Sequence, residues 1–215
     1  MDILKRKDLY GANLQGANFQ GADLIEANLE KANLIGTNLM GANLQGANFK
    51  EANLEGAHLE GANLKWTYLI GVNFKEANLE GANLERAKLK EAKLIGTKLI
   101  EANLEEANLE GAHLEGANLK WTYLVGANLE GANLIEANLE GANLKEANLK
   151  EANFEGANLK EANLEEANLE GANFQEAHHL SIKQLSKVKT LHDTKLDEKL
   201  LKSLKKQYPD LFEVP

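Results

Sequence analysis

The chain has 215 residues, with 33 acidic and 24 basic side chains, a net charge of −9 at pH 7 and no cysteine. The lack of cysteine excludes disulfides and thiol chemistry, and no apolar run approaches the roughly twenty residues that a membrane-spanning helix needs. Residues 1–7 contain no apolar segment of the kind found in signal peptides, so the sequence predicts a cytoplasmic protein that does not contact a membrane.

A five-residue period runs through residues 12–174 in 33 consecutive units. The large apolar residue of each unit, called position i, is Leu in 28 units and Phe in five, while i−2 is Ala in 28 and i−1 is Asn in 25. Residues five apart form no stripe on a helix and alternate between the two faces of a continuous strand. The period therefore predicts a short extended segment with i−2 and i inside and i−1 outside, followed by a corner at i+1 and i+2.

The corners fall into two compositional groups. All 18 glycines occupy i+2, where a type II turn needs a positive φ. Sixteen of the 34 corners carry Glu, Lys, Arg or Trp instead, and we expect these to use a different turn type. Repeated turning in one sense stacks the units into an all-β solenoid with a continuous Leu core, and the stacked Asn residues could form amide ladders.

The A-N-L-x-G unit resembles the pentapeptide repeat family over residues 12–174. The resemblance implies a right-handed quadrilateral β-helix with one unit per face, which gives twenty residues per coil and about eight coils here. Phe154 and Phe174 would then stack one coil apart. We expect residues 1–11 to be a lead-in of degenerate repeats, residues 12–178 to form the β-helix and residues 179–215 to form a two-helix cap.

The cap begins where the period breaks, at His178 and His179. Ser181 and Gln184 match a capping box, which predicts a helix over about residues 182–189. Asp197 is a suitable N-cap for a second helix, which Pro209 would end. These helices either cover the last coil only or also dock a partner, and the sequence leaves both open. Association through an end of the rod would give an end-to-end dimer; otherwise the protein is a monomer.

One segment that departs from the repeat consensus occurs twice in identical form. Residues 51–69 recur at 106–124, eleven units later, so on a four-sided rod the copies lie on adjacent faces. Each copy ends in Trp-Thr-Tyr, with Trp at a corner and Tyr at i−1, both pointing outward. The candidate partner-binding residues are Trp66, Tyr68, Trp121 and Tyr123. The alternative is that each pair only covers a corner, since isolated exposed aromatics are common.

Three lysines form the other exception. Lys88, Lys93 and Lys98 replace Asn at successive i−1 positions, with Arg86 and Lys90 close by in sequence. This basic belt either receives an acidic partner or pairs with Glu residues of adjacent coils.

The composition restricts the function more than it identifies it. Residues 8–178 hold 27 acids and 13 bases, so the rod would repel phosphates, and we expect no direct binding to nucleic acid. No catalytic motif, phosphate loop or metal-ligand spacing occurs, so we predict no enzyme, no cofactor and no metal. The favoured function is a rigid acidic rod that presents surfaces to a protein partner. The alternative that the resemblance implies is a DNA mimic that binds a type II topoisomerase such as gyrase, although i−1 is Asn rather than Asp.

Overall fold

The computed structural model describes residues 8–214. Isolated parallel β-bridges join i−1 residues that are twenty apart, from Asp8–Asn28 to Asn158–His178. Because two of every five residues turn, the extended segments are too short for consecutive bridges, and no strand is assigned in residues 8–214. Four columns of bridges result, one for each unit of a twenty-residue stretch. We call that stretch a coil and each column a face. The part of the predicted lead-in that covers residues 1–7 lies outside the described residues.

The corners share one backbone shape whatever residue they carry. Across each corner the N–H of the next i−2 residue donates to the carbonyl of position i, as Ala17 does to Leu14 at 3.0 Å. The φ angle at i+2 is 60–69° for glycine and 54–60° for the sixteen other residues. The predicted second turn type is therefore wrong. Bonds to the neighbouring coil hold every corner in the left-handed region, even though this conformation costs a non-glycine residue about 1–2 kcal/mol.

Ala and Leu fill the interior as the period predicts, because positions i−2 and i are buried through almost all coils. Phe154 and Phe174 stack with their ring centroids 4.6 Å apart and their planes within 4°, which confirms that residues twenty apart are neighbours on one face. The buried threonines at i−2 donate their hydroxyl groups to backbone carbonyls, three of them to the residue three positions earlier and Thr97 to Phe74 of the previous coil. Thr37, for example, donates to the carbonyl of Leu34 at 2.8 Å.

Every backbone N–H of a standard unit has a partner. Positions i−1, i and i+2 bond to neighbouring coils, and i−2 closes the corner. The N–H at i+1 donates instead to the side-chain oxygen of Asn or Asp two residues earlier, as Glu105 does to Asn103 at 2.9 Å. All 25 Asn residues and both Asp residues at i−1 in the bridged coils accept this bond. The Asn of the repeat thus meets a backbone requirement.

Many of the same Asn side chains also bond to one another between coils. Asn63 donates to Asn43 at 3.0 Å, and Asn73 donates to Asn53 at 2.9 Å. These contacts confirm the predicted amide ladders, which are interrupted wherever another residue replaces Asn.

The coil continues past His178 in an irregular form. Helix α1, Ile182–Leu185, starts with the predicted capping box but ends four residues earlier than expected. It ends because the chain returns to the coil, where the carbonyl of Lys187 accepts from Glu166 at 2.8 Å and Lys189 donates to Ala167 at 2.9 Å. The bridges Asn168–Thr190 and Asn173–Lys195 then have a spacing of 22 residues. Helix α1 thus replaces one bridge of a further turn.

Helix α2, Glu198–Gln207, and a 3-10 helix, Pro209–Phe212, complete the cap. Asp197 precedes α2 as predicted, but its carboxylate does not cap the helix and accepts instead from the N–H of Glu176 at 3.0 Å. Leu204 of α2 is buried, and the N–H of Leu191 donates to the carbonyl of Leu211 at 2.6 Å. The cap therefore closes the last regular coil on its C-terminal side.

Candidate interaction surface

The first Trp-Thr-Tyr copy forms an exposed patch with lysines. Trp66 and Tyr68 are 45% and 44% exposed. The Lys88 ammonium lies over the Tyr68 ring, 4.5 Å from its centroid, because residue 88 is one coil above residue 68 on the same face. The Lys65 ammonium lies 5.5 Å from the Trp66 ring centroid. We call Lys65, Trp66, Tyr68 and Lys88 the aromatic–lysine patch; both of its cation–ring distances fall within the attractive range.

The second copy has different surroundings despite its identical sequence. Residue 141 follows Trp121 by one coil, and a Cβ atom added at Gly141 would lie 2.1 Å from Cε3 of Trp121. The indole therefore packs directly over the glycine backbone. At the equivalent place above Trp66 the residue is Arg86, and above Tyr123 it is Asn143 rather than lysine. Trp121 therefore packs on the backbone of Gly141 while remaining 45% exposed, the same fraction as Trp66, and Tyr123 is 50% exposed.

The three lysines of the predicted belt lie on three successive faces of one coil, since each forms a bridge in a different column. We keep the name lysine belt for Lys88, Lys93 and Lys98. All three are exposed. None of them lies within salt-bridge distance of a carboxylate among residues 8–214, which contradicts the pairing alternative for these three residues. Of the predicted belt residues, only Lys88 is brought next to a candidate aromatic residue.

Most other basic residues of the repeats do pair along the columns. The ion pairs that join residues twenty apart are Lys31–Glu51, Lys65–Glu85, Arg86–Glu106, Lys90–Glu110, Lys120–Glu140, Lys145–Glu165, Lys150–Glu170 and Lys160–Glu140. The hydrogen bond from Arg86 lowers the pKa of Glu106, and bonds from Lys160 and then Lys120 lower the pKa of Glu140. These groups are exposed or only partly buried, so each pair adds only a modest stabilisation.

The histidines of the repeats sit beside single carboxylates. His58 Nδ1 lies 3.5 Å from Glu60, and His113 Nδ1 lies 3.4 Å from Glu115. Within residues 8–214 no three His, Cys, Asp or Glu side chains come together in a way that could hold a metal ion. In the same part of the chain, no helix is long and apolar enough to cross a membrane.

Comparison with known proteins places this geometry in a family. The sequence model for pentapeptide repeats matches eight copies, over residues 8–46, 47–86, 87–124, 112–150 and 147–178. The chain belongs to the pentapeptide repeat family. Known structures of the family are right-handed β-helices. No curated protein sequence matches the chain significantly.

Solved structures of other pentapeptide repeat proteins are similar to this one. HetL, a protein involved in heterocyst differentiation regulation in the cyanobacterium Nostoc, is 33% identical over 88% of this chain and 84% of its own, with a TM-score of 0.57. A protein of the Arabidopsis thaliana thylakoid lumen is 31% identical over 49% of this chain and 70% of its own, with a TM-score of 0.45. QnrB1, a plasmid-mediated fluoroquinolone resistance protein, is only 17% identical over 93% of this chain and 96% of its own, with a TM-score of 0.48.

The sequence identified the candidate surface residues but did not predict how the residues one coil away differ between the two Trp-Thr-Tyr copies. The contacts of Tyr68 with Lys88 and of Trp121 with Gly141 follow from counting twenty residues forward, so that spacing is the signal that could have found them. The bond from the N–H of i+1 to the Asn side-chain oxygen was missed, because the repeated Asn at i−1 fits an amide ladder between coils equally well.

Proposed function

We propose that this pentapeptide repeat protein is a non-enzymatic interaction module. Its rod, a right-handed four-sided β-helix of about eight coils, would present surface residues to a protein partner. The observation that carries the proposal is the aromatic–lysine patch, in which Trp66 and Tyr68 remain exposed next to Lys88. The repeated residues are already used by the fold, since they form the core, satisfy amides or shape corners. We therefore assign any specific role to the residues that depart from the repeat pattern.

The patch has the chemistry of an interface anchor. Tryptophan and tyrosine contribute much of the binding energy at protein interfaces, because they bury a large area with little loss of side-chain freedom. Here the backbone ladder holds Tyr68 and Lys88 in bridged positions, so little ordering remains to be done on binding.

An affinity capture experiment tests this function. Tagged wild type and a Trp66→Ala/Tyr68→Ala variant would be used to capture proteins from extracts of the native host. We expect a partner that wild type retains and this variant loses by at least tenfold, whereas a Trp121→Ala/Tyr123→Ala variant retains it. Thermal unfolding of each variant controls for folding. Equal capture by wild type and the first variant would exclude the patch as the anchor.

The alternative of a gyrase-binding DNA mimic has less physical support. A mimic needs rows of free carboxylates along the rod, but i−1 carries Asn in 25 of the 33 units, and eight ion pairs along the columns engage seven of the glutamates. The similarity to QnrB1 is too low to transfer a function. We therefore expect no effect of micromolar protein in a gyrase supercoiling assay, and clear inhibition would reverse the choice between the two functions.

The oligomeric state and the location also remain predictions. We expect a monomer or an end-to-end dimer in sedimentation at high concentration, and a cytoplasmic location on cell fractionation. A side-by-side assembly would be inconsistent with exposed faces that receive a partner.

A further inference from the structure

The lysine belt works against the stability of the fold. Lys88, Lys93 and Lys98 occupy the position at which all Asn and Asp residues accept the N–H of position i+1. Lysine has no acceptor, so the amides of Lys90, Ile95 and Ile100 lose that bond. The amide ladders are also interrupted at these three places.

No carboxylate among residues 8–214 forms an ion pair with the belt. Nine of the thirteen basic residues between positions 8 and 178 lie within salt-bridge distance of a carboxylate of residues 8–214. The four that do not are Lys50 and the three belt lysines. Residues 81–100 carry five bases and two acids, a net charge of +3, whereas residues 101–120 carry one base and five acids, a net charge of −4. Within an acidic rod, residues 81–100 therefore form a positively charged coil.

The arrangement of the belt selects the shape of its ligand. The three lysines lie on successive faces, so a ligand that contacts all of them must pass two corners. A folded domain or a nucleic-acid duplex is rigid and can reach one face, or two faces that meet at a corner. An extended, flexible chain can follow all three. Its charge must be negative, since none of the three lysines has a carboxylate of residues 8–214 within salt-bridge distance.

We propose that the lysine belt binds an extended acidic protein segment, which wraps around the rod along the direction of the coil. The inference rests on the proposed function and gives the chemistry of the partner. The rod's own chain takes ten residues from Lys88 to Lys98, and an outer path around the same corners is longer, so the segment needs about ten residues or more. Trp66 and Tyr68 lie one coil below Lys88 and extend the surface toward apolar residues of the same segment.

The test uses two fluorescein-labelled peptides with four glutamates each. In one peptide the glutamates are consecutive, and in the other they are spread over twelve residues with serine between them. Binding is measured by fluorescence anisotropy at low salt. Because each exposed ion pair contributes only a small factor, we expect the longer peptide to bind roughly tenfold more tightly than the short one. This binding should weaken steeply at high salt.

The matched variants separate the belt from general charge. A Lys88→Asn/Lys93→Asn/Lys98→Asn variant should bind the long peptide roughly tenfold more weakly, while its melting temperature rises because the Asn bonds are restored. A loss of binding with a gain of stability cannot come from unfolding. The control, Lys120→Gln/Lys145→Gln/Lys150→Gln, removes the same charge from lysines that are already paired, and its affinity should stay within about twofold.

Three results would overturn the proposal. These are unchanged binding by the Asn variant, an equal loss in the control variant, and equal affinity of the short and long peptides. A duplex oligonucleotide that binds with the same dependence on the belt would also overturn it, since a rigid polyanion would then be sufficient. The capture experiment changes the aromatic residues and leaves the three lysines in place, so a failure of the belt can be distinguished from a failure of the proposed function.

Discussion

Replacement of Lys98 by Asn is expected to stabilise the protein, although it removes a charged surface residue. An Asn at this position would accept the N–H of Ile100 and could bond to the amides of Asn78 and Asn118 on the same face. In this column Asn158 already donates to Asn138 at 3.0 Å. Up to three hydrogen bonds are gained, and each contributes about 0.5–1.5 kcal/mol. The site is exposed, so we take the lower end and expect a gain of about 1–2 kcal/mol.

Thermal unfolding followed by circular dichroism measures the effect. For a chain of this size, 1 kcal/mol corresponds to about 2–4 °C in melting temperature, so Lys98→Asn should raise it by roughly 3–6 °C. The control is Lys98→Gln, which removes the same charge but carries its amide one methylene further from the backbone. We expect little change for Lys98→Gln. Equal melting temperatures for the two variants would refute the view that the backbone amide determines the choice of Asn.

Three further changes test the corners and the ion pairs. Gly141→Ala must displace the Trp121 indole in addition to adopting a φ of 69°, so it should destabilise by about 2–4 kcal/mol in thermal unfolding. Glu136→Gly relieves a left-handed corner with a φ of 56° and should stabilise by up to about 1 kcal/mol, measured in the same way. Glu140→Gln should lower the melting temperature at pH 7 but not well below pH 4.5. Because the pKa of this carboxyl is lowered in the folded state, the carboxylate stabilises the fold at pH values above its unfolded-state pKa. That contribution is lost as the pH falls through the folded-state pKa.

Each of these predictions has a matched comparison. Gly131→Ala adds a methyl group at a φ of 64° with no atom within 4 Å, so it should cost only about 1 kcal/mol. Similar losses at the two glycines would show that the indole moves freely. Glu105→Gly changes a corner residue without positive φ and should destabilise, unlike the change at residue 136. An effect of Glu140→Gln that is independent of pH would show that its ion pairs do not contribute.

The regular part of the fold was predictable because its signal is periodic. The burial of Ala and Leu follows from the period of five, and the stacking of Phe154 on Phe174 follows from the twenty-residue coil that the family resemblance implies. The backbone conformation of the non-glycine corners could not be predicted from the repeat. Local preference disfavours Glu26 or Lys31 at positive φ, but bonds to the adjacent coils override that preference. The closure of the whole coil, rather than the residue at the corner, determines the turn.

The cap and the surface show the limits of local patterns. Ser181 and Gln184 predicted the start of α1 correctly. Its end depends on two bonds with the last regular coil, one that the carbonyl of Lys187 accepts and one that the N–H of Lys189 donates, and no local pattern contains them. The candidate surface residues stood out as exceptions to the repeat. What distinguishes Trp66 from Trp121 is the residue one coil above, so identical segments acquired different surroundings.

The strict neighbour-to-neighbour pairing also determines how the rod would respond to a mechanical load. Each coil is bonded only to the coil before it and the coil after it, so a force that pulls the two ends apart passes through the interfaces one after another. When interfaces are loaded one after another, the weakest interface separates first. The interfaces around residues 81–100 keep ion pairs such as Arg86–Glu106 but lack Asn–Asn bonds at the three faces with lysine at i−1. We therefore expect the rod to part there first, beside the surface that we assign to a partner. A segment bound around that coil would hold it to its neighbours, and binding would then raise the force that is needed to pull the coils apart.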